Sequence, residues 1–358
     1  MPKHHYVPRM LLKNFAVDED KNLINIHLLK DNRFLYSKAL YGQAQENDLY
    51  GSDQKLEQFF GKLETTASLV LAKLNTGNIS LLEEEQWYLK LFMLNQLSRT
   101  PGFVSVQDSC FEKLAKKRAS YDKNFKKYLD EFGTSLNEPY KLYFSFSRDL
   151  LSIILDLRIG LLETKKENPF FIIGQNPVII LNPFLKEKNH WIWSTQGIIL
   201  KGLIMAMPIS PRFSLILYDS LRYTLLNKNP KWIINSSDVE KLNNFQYCNT
   251  VDCIYFSNLI NEEKYIQKNN LYRNYRESDK ADFQIIGSSI DEKTGYKTEI
   301  TKTGTKEFPI EQKFSFIGYK AIEYAKPIIS YNDAKREHVD EVNLKRKNRL
   351  KNRRSETL

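Results

Sequence analysis

The chain is short of the residues that make an enzyme's chemistry easy to read. Its 358 residues include three cysteines, Cys110, Cys248 and Cys253. An odd count without close pairing excludes a disulfide framework and a zinc knuckle. Among the few histidines, His27, His190 and His338 stand in no ligand-spaced motif. There is no glycine-rich phosphate loop, no nucleophile elbow and no Cys-His pair. No apolar run approaches the roughly 18–20 residues that span a bilayer. The opening Met1-Pro2-Lys3-His4-His5-Tyr6 lacks the apolar core of a signal peptide. A cytoplasmic protein with no membrane partner is therefore expected, and the sequence does not indicate its oligomeric state.

Hydrophobic residues make up 42% of the chain, enough to bury a core, and the formal net charge is +10. Part of that charge sits in the tail: seven of the ten residues from Lys345 to Arg354 are Lys or Arg. Residues 341–358 carry seven positive and two negative charges, a net of +5, which leaves about +5 on the body. Such a balance favours an acidic partner, nucleic acid being the commonest, or else a solubilising tail on a mildly basic protein.

The pattern along the chain is first extended, then helical, then strand-like. His4 to Phe15 reads as an extended arm turning into a short helix at Met10–Phe15. Leu23–Leu29 and Arg33–Tyr36, joined by Lys30-Asp31-Asn32, predict a hairpin. Apolar positions three and four apart predict a helix over 53–74, with Gly77 past its end. Ser80 and Glu83 predict a reciprocal cap for a second helix running to Ser98. Pro101 starts a third helix over 102–131, because proline suits a first helical turn, and a fourth covers 138–156. Short strand-like runs follow at 160–163, 170–173, 178–181, 202–208 and 213–218. A capped helix begins at Ser237-Asp238, and further strands are expected at 251–258, 283–287, 297–302 and 313–317. Residues 333–352 are helix-permissive and very polar. No repeat is visible.

Three segments could carry chemistry. His4 and His5, adjacent in an extended segment, point to opposite faces, so one can enter a site while the other braces the strand. Histidine serves as acid, base or metal ligand near neutral pH; the plain alternative is an incidental pair in a mobile arm. Glu57 and Glu64, close to two helical turns apart, share a helix face beside the apolar stripe. A buried carboxylate there must be paired, protonated or functional, whereas two solvated glutamates need no role. Gln96 and Arg99 share a face at a helix end, where Arg99 can clamp a phosphate or carboxylate, or cap its own helix.

Taken in order, these segments resemble the bacterial family called domain of unknown function 4238. The resemblance rests on His4-His5-Tyr6-Val7-Pro8 followed by Leu11-Leu12-Lys13-Asn14-Phe15, and on a helix with Glu57 and Glu64. It continues through Gln96 to Pro101 as Gln-x-x-Arg-Thr-Pro, and Pro208-Ile209-Ser210-Pro211 for a Pro-Leu-Ser-Pro strand end. A late helix then has an asparagine near its start, Asn243 or Asn244, and the match spans roughly 3–260. The family's Ser-Asp-x-Pro turn is here Gly174-Gln175-Asn176-Pro177. Glutamine is a poor metal ligand and no base, so any step that needs the acid is altered in this chain.

These readings predict an α+β fold: an N-terminal arm and hairpin, and a central helical bundle packed on a mixed or antiparallel sheet. The expected divisions are a family-like domain at 1–260, a strand-containing extension at 261–332 and a basic polar tail at 333–358. The first functional expectation is a nuclease or other phosphodiester-cleaving effector in defence or toxicity. Its candidate catalytic residues are His4, His5, Glu64 and Arg99, with Gln96, Gln175 and Asn176 as candidate substrate-binding residues. Histidine would do acid/base work, Glu64 would orient it or bind a cation, and Arg99 would stabilise phosphate charge. Magnesium or manganese is the candidate cofactor, although no clear motif names its ligands. The alternative is a non-catalytic nucleic-acid-binding or regulatory protein whose polar cluster is structural. An enzyme acting on a small ligand or on protein is a third class, without a motif to carry it.

Overall fold

The structure, a computed structural model, describes residues 3–18, 20–50, 55–133, 150–165, 169–187, 197–198, 200–225, 230–276, 282–290, 297–304 and 308–319. The arm forms β1 (Lys3–His5) and α1 (Arg9–Leu12), closed by a 3-10 turn at Lys13–Phe15. Pro8 starts the helical stretch, its carbonyl accepting from the amides of Leu11 and Leu12. The hairpin is β2 (Leu23–Leu28) and β3 (Arg33–Ala39), with Asn32 in the left-handed region at the turn (φ 54). The chain then returns as β4 (Gln45–Asn47), which pairs antiparallel with β1 and sets His5 opposite Gln45.

The helices follow the apolar spacing, with corrected ends. Helix α2 (Lys55–Asn75) buries Leu56, Phe60, Leu63, Ala67, Val70, Leu71 and Leu74. It stops at Gly77, whose φ of +79° is strained for other residues and whose amide returns to the Leu74 carbonyl at 2.8 Å. Helix α3 (Glu83–Ser98) does not use the Ser80–Glu83 cap. Its start lies later, and Glu85 Oε2 accepts from the Leu82 amide at 2.7 Å. The single helix expected over 102–131 is two, α4 (Pro101–Ala119) and α5 (Lys123–Phe132). Asp122 breaks the run: its side chain accepts from the Phe125 amide at 2.9 Å, and a new helix begins there. Of the expected helix at 138–156, residues 150–154 are helical and 134–149 lie outside the described residues.

The later elements are β5 (Arg158–Thr164), β6 (Ile173–Gly174), β7 (Ile179–Leu181), α6 (Pro183–Glu187), β8 (Ile204–Pro208), β9 (Phe213–Tyr218), β10 (Tyr223–Leu225) and β11 (Lys231–Ile234). They continue with α7 (Ser236–Asn249), β12 (Cys253–Phe256), α8 (Glu262–Arg276), β13 (Asp282–Ile290), β14 (Lys297–Gly304) and β15 (Ile317–Tyr319). Helix α7 is capped by Asn235, not at Ser237, the Asn235 side chain accepting from the Asp238 amide at 2.9 Å. Within the run expected at 313–317, strand structure begins at Ile317.

A mixed sheet in the order β11-β5-β9-β8-β7 forms the middle of the molecule, with β11 and β5 parallel and the other neighbours antiparallel. Strands β8 and β9 are buried along their whole length, as expected where both faces of a sheet are covered. Leu161, Met205, Leu215 and Leu217 join the arm, α2 and α3 in one core. Their neighbours Leu162, Ile204, Ala206 and Ile216 face a second core built on α7 and α8. A four-stranded antiparallel sheet, β3-β2-β12-β6, contributes to both. The fold is α+β, as the sequence implied. Residues beyond the family-like region also enter the second core: Ile310, Phe314, Phe316 and Ile317 pack there, and β15 pairs with β10. The polar tail at 333–358 lies outside the described residues.

Candidate functional site

The dispersed motif residues meet where the arm lies on α2 and the C-terminal end of α3. Tyr6 is the meeting point, although it was singled out only as part of the arm motif. Its amide donates to the Ala44 carbonyl at 3.0 Å. Its carbonyl accepts from Gln96 Nε2 at 2.8 Å and from Arg99 Nε at 3.2 Å. Its hydroxyl accepts from Gln175 Nε2 at 2.8 Å. Three side chains from two motifs scattered along the chain therefore bind one residue of the arm. Val7 beside it is completely buried, and Asn14 Nδ2 donates to the Ile209 carbonyl at 2.9 Å, which joins the arm to the Pro208–Pro211 strand end.

Arg99 crosses from this latch to α2. Its Nη1 donates to Glu64 Oε1 at 2.8 Å, its Nε also donates to Gln96 Oε1 at 3.0 Å, and its guanidinium lies over the Phe60 ring at 4.9 Å. The arginine side chain is 3% exposed and Glu64 is 25% exposed, so the pair spans the boundary between interior and solvent. Arg99 Nη2 is buried without a hydrogen-bond partner.

The two histidines divide as an extended backbone requires. His4 is buried and stacks on Tyr50, ring centroids 5.1 Å apart. Its Nδ1 accepts from the Tyr50 amide at 3.1 Å, which puts the proton of the neutral ring on Nε2. Burial lowers the His4 pKa, against a smaller raising effect of Asp48. His5 is half-buried, and its carbonyl accepts from the Tyr50 hydroxyl at 3.0 Å. Its Nε2 is buried without a partner. Burial, then the positive charges of Arg9 and Arg99, lower the His5 pKa to about 4, so the ring is neutral near pH 7. Glu57 completes the group. Burial, then the Glu64 carboxylate, raises its pKa, while Arg99 works in the opposite direction.

Gln175 and Asn176 sit on the other side of the latch. Gln175 Oε1 accepts from the Asp252 amide at 2.8 Å, and its Nε2 also reaches Asp252 Oδ2 at 3.3 Å. Asp252 is thus a carboxylate directly bonded to the glutamine that stands in the turn. Asn176 Nδ2 donates to the Asn249 carbonyl at 2.6 Å. The turn is clasped by a stripe of amides on α7 at intervals of three. Asn243 holds Phe170 and Ile172, Gln246 holds Gly174 and Pro177, and Asn249 holds Asn176 and Val178. Of the two candidates on this helix, Asn243 is fully buried and makes these bonds. The 243–246–249 spacing was visible in the sequence, whereas nothing local marked Tyr50.

Among the described residues, no group of three or more His, Cys, Asp and Glu side chains could hold a metal ion. None of the described helices is long and apolar enough to cross a membrane. No curated protein and no solved structure matches the chain. Residues 3–259 match the model of the family described as Protein of unknown function (DUF4238), and the chain belongs to that family.

Proposed function

We propose that this protein cleaves phosphodiester bonds in nucleic acid at the cluster formed by His5, Glu57, Glu64 and Arg99. One observation carries the reading. His5 Nε2 and Arg99 Nη2 are both buried without a protein partner, and the charge of Arg99 acts on both His5 and Glu57. An unsatisfied buried polar group in a native fold needs an explanation, and a ligand is one. A phosphate oxygen would accept from Arg99 Nη2, which then stabilises the charge that develops on phosphorus-bound oxygen. His5, neutral at pH 7, would take the proton of the attacking water or hydroxyl. The bound phosphodiester anion would raise its pKa towards the working range. Glu57, whose carboxyl holds its proton above the usual range, would give a proton to the leaving oxygen, so one proton is taken and one returned. Glu64 is the carboxylate through which a magnesium or manganese ion would be held, since such ions use one or two carboxylates and substrate phosphates. Gln96, Gln175 and Asn176 would position the arm and the turn rather than touch the substrate.

The test incubates purified protein with labelled RNA, single-stranded DNA and duplex DNA, with and without magnesium or manganese, beside His5→Ala. Cleavage by the wild type and its loss in the variant support the reading. No cleavage of any substrate under any of these conditions refutes it. In that case the second reading takes over, a non-catalytic nucleic-acid-binding or regulatory protein. The observation favouring it is that Gln96, Arg99 and Gln175 all bind Tyr6, as a purely structural latch would.

A further inference from the structure

We infer that the elbow between α4 and α5 is a docking surface for single-stranded nucleic acid. From Lys113 to Lys127 the chain has seven cations and one acid, Asp122; Lys116 is paired with Glu112 and Arg118 with Asp122 at 3.6 Å, and Asp130 and Glu131 follow, so the excess of positive charge lies at the elbow itself. Four of the cations are on α4 and three, Lys123, Lys126 and Lys127, on α5. Two tyrosines stand among them, Tyr121 at 70% and Tyr128 at 56% exposure. A face that merely keeps a protein in solution mixes both signs of charge and exposes few aromatic rings. This one combines positive charge, which tracks a phosphate backbone, with flat rings on which unpaired bases stack. The Arg118 guanidinium lies over the Phe125 ring at 4.7 Å and is paired with Asp122 at 3.6 Å, so its outer face is the one turned towards a third base.

The polar rims argue against a lipid bilayer as occupant. On α5, Phe125 and Leu129 are half-buried, and the exposed Phe111 and Leu114 of α4 stand among charged residues, which leaves scattered side chains rather than a continuous apolar face. The position of the elbow fits a strand that continues to the candidate site. Helix α4 begins two residues after Arg99 and is 19 residues long. At 1.5 Å per residue it carries the elbow about 28 Å from the arginine. That distance is about eight nucleotides at the 3.4 Å stacking interval. The docking surface stands on its own charge and exposure; its role as a feeder of the site rests on the phosphodiester reading.

The experiment is fluorescence anisotropy of the full chain with labelled 20-nucleotide oligo-dT and oligo-U over a series of salt concentrations. A 20-base-pair duplex and vesicles of phosphatidylserine in phosphatidylcholine serve as further probes. The triple substitution Lys123→Glu, Lys126→Glu, Lys127→Glu is expected to weaken single-strand binding at least tenfold and to flatten its salt dependence, because fewer counterions are released. Tyr121→Ala with Tyr128→Ala is expected to weaken binding about tenfold and leave the salt slope unchanged, because stacking releases none. All five side chains are exposed, so circular dichroism should match the wild type. The inference is overturned if both elbow variants bind like the wild type, or if the duplex or the vesicle is preferred to the single strand. Elbow-dependent binding without cleavage by the wild type would keep the docking surface and remove the acid–base reading. Cleavage unaffected by either elbow variant would do the reverse.

Discussion

If Arg99 is the strut that holds the arm on the helices, Arg99→Ala should both destabilise the protein and release the arm. Three bonds are lost, from Nη1 to Glu64 at 2.8 Å and from Nε to Gln96 at 3.0 Å and to Tyr6 at 3.2 Å. They do not weigh equally. The Tyr6 carbonyl keeps Gln96 Nε2 as a donor, so it is not orphaned. Gln96 Oε1 loses its donor in the interior, which costs about 1–3 kcal/mol. Breaking a fully buried ion pair costs roughly 3–5 kcal/mol. Glu64 is 25% exposed and can rehydrate, so the lower part of that range applies. The expected loss is about 3 kcal/mol in urea denaturation at pH 7. Arg99→Lys restores the charge but not the planar fork and should recover less than half of it. Hydrogen exchange should show the Tyr6 amide, bonded to the Ala44 carbonyl, opening faster in the alanine variant. A change in stability below about 0.5 kcal/mol, with unaltered exchange at Tyr6, would refute the strut.

Four further outcomes are expected. The folded His5 pKa of about 4 lies below the ordinary 6.5, so between these values the unfolded chain binds a proton that the native state does not. Stability should therefore fall as pH drops from about 6.5 to about 4, and His5→Gln should flatten that fall in urea midpoints. An unchanged slope would mean that His5 is solvated. Gly102→Ala should destabilise despite the higher helix propensity of alanine, because the new Cβ would stand 2.1 Å from Asn176 Nδ2, which is held by the Asn249 carbonyl. A stabilised variant would show that the turn moves freely. Phe316→Ala should cost about 3–5 kcal/mol by denaturation although it lies outside the family match, because the ring is 6% exposed in the second core. Deleting 333–358 should leave the melting temperature nearly unchanged, since so polar a stretch cannot offset its ordering entropy.

The sequence determined what depends on nearest neighbours and periodicity. Strand β9 fell on the predicted 213–218 because its six residues are bounded by turn residues and need both faces covered. Helix α2 was legible from its apolar stripe and from Gly77. Helix α8 was missed because its buried stripe is Tyr265, Asn269 and Tyr272, which does not read as apolar. The break at Asp122 was missed because one capping side chain competes with a helix-permissive run, and local propensity alone does not choose between them. The site divides in the same way. Alternation along an extended arm separated His4 from His5, and the helical repeat placed Glu57 with Glu64 and Gln96 with Arg99. Only the tertiary structure could decide that Gln96, Arg99 and Gln175 close on Tyr6, 90, 93 and 169 residues away. Long-range pairing depends on how sheets and helices pack, and no local pattern encodes which carbonyl a buried amide will find.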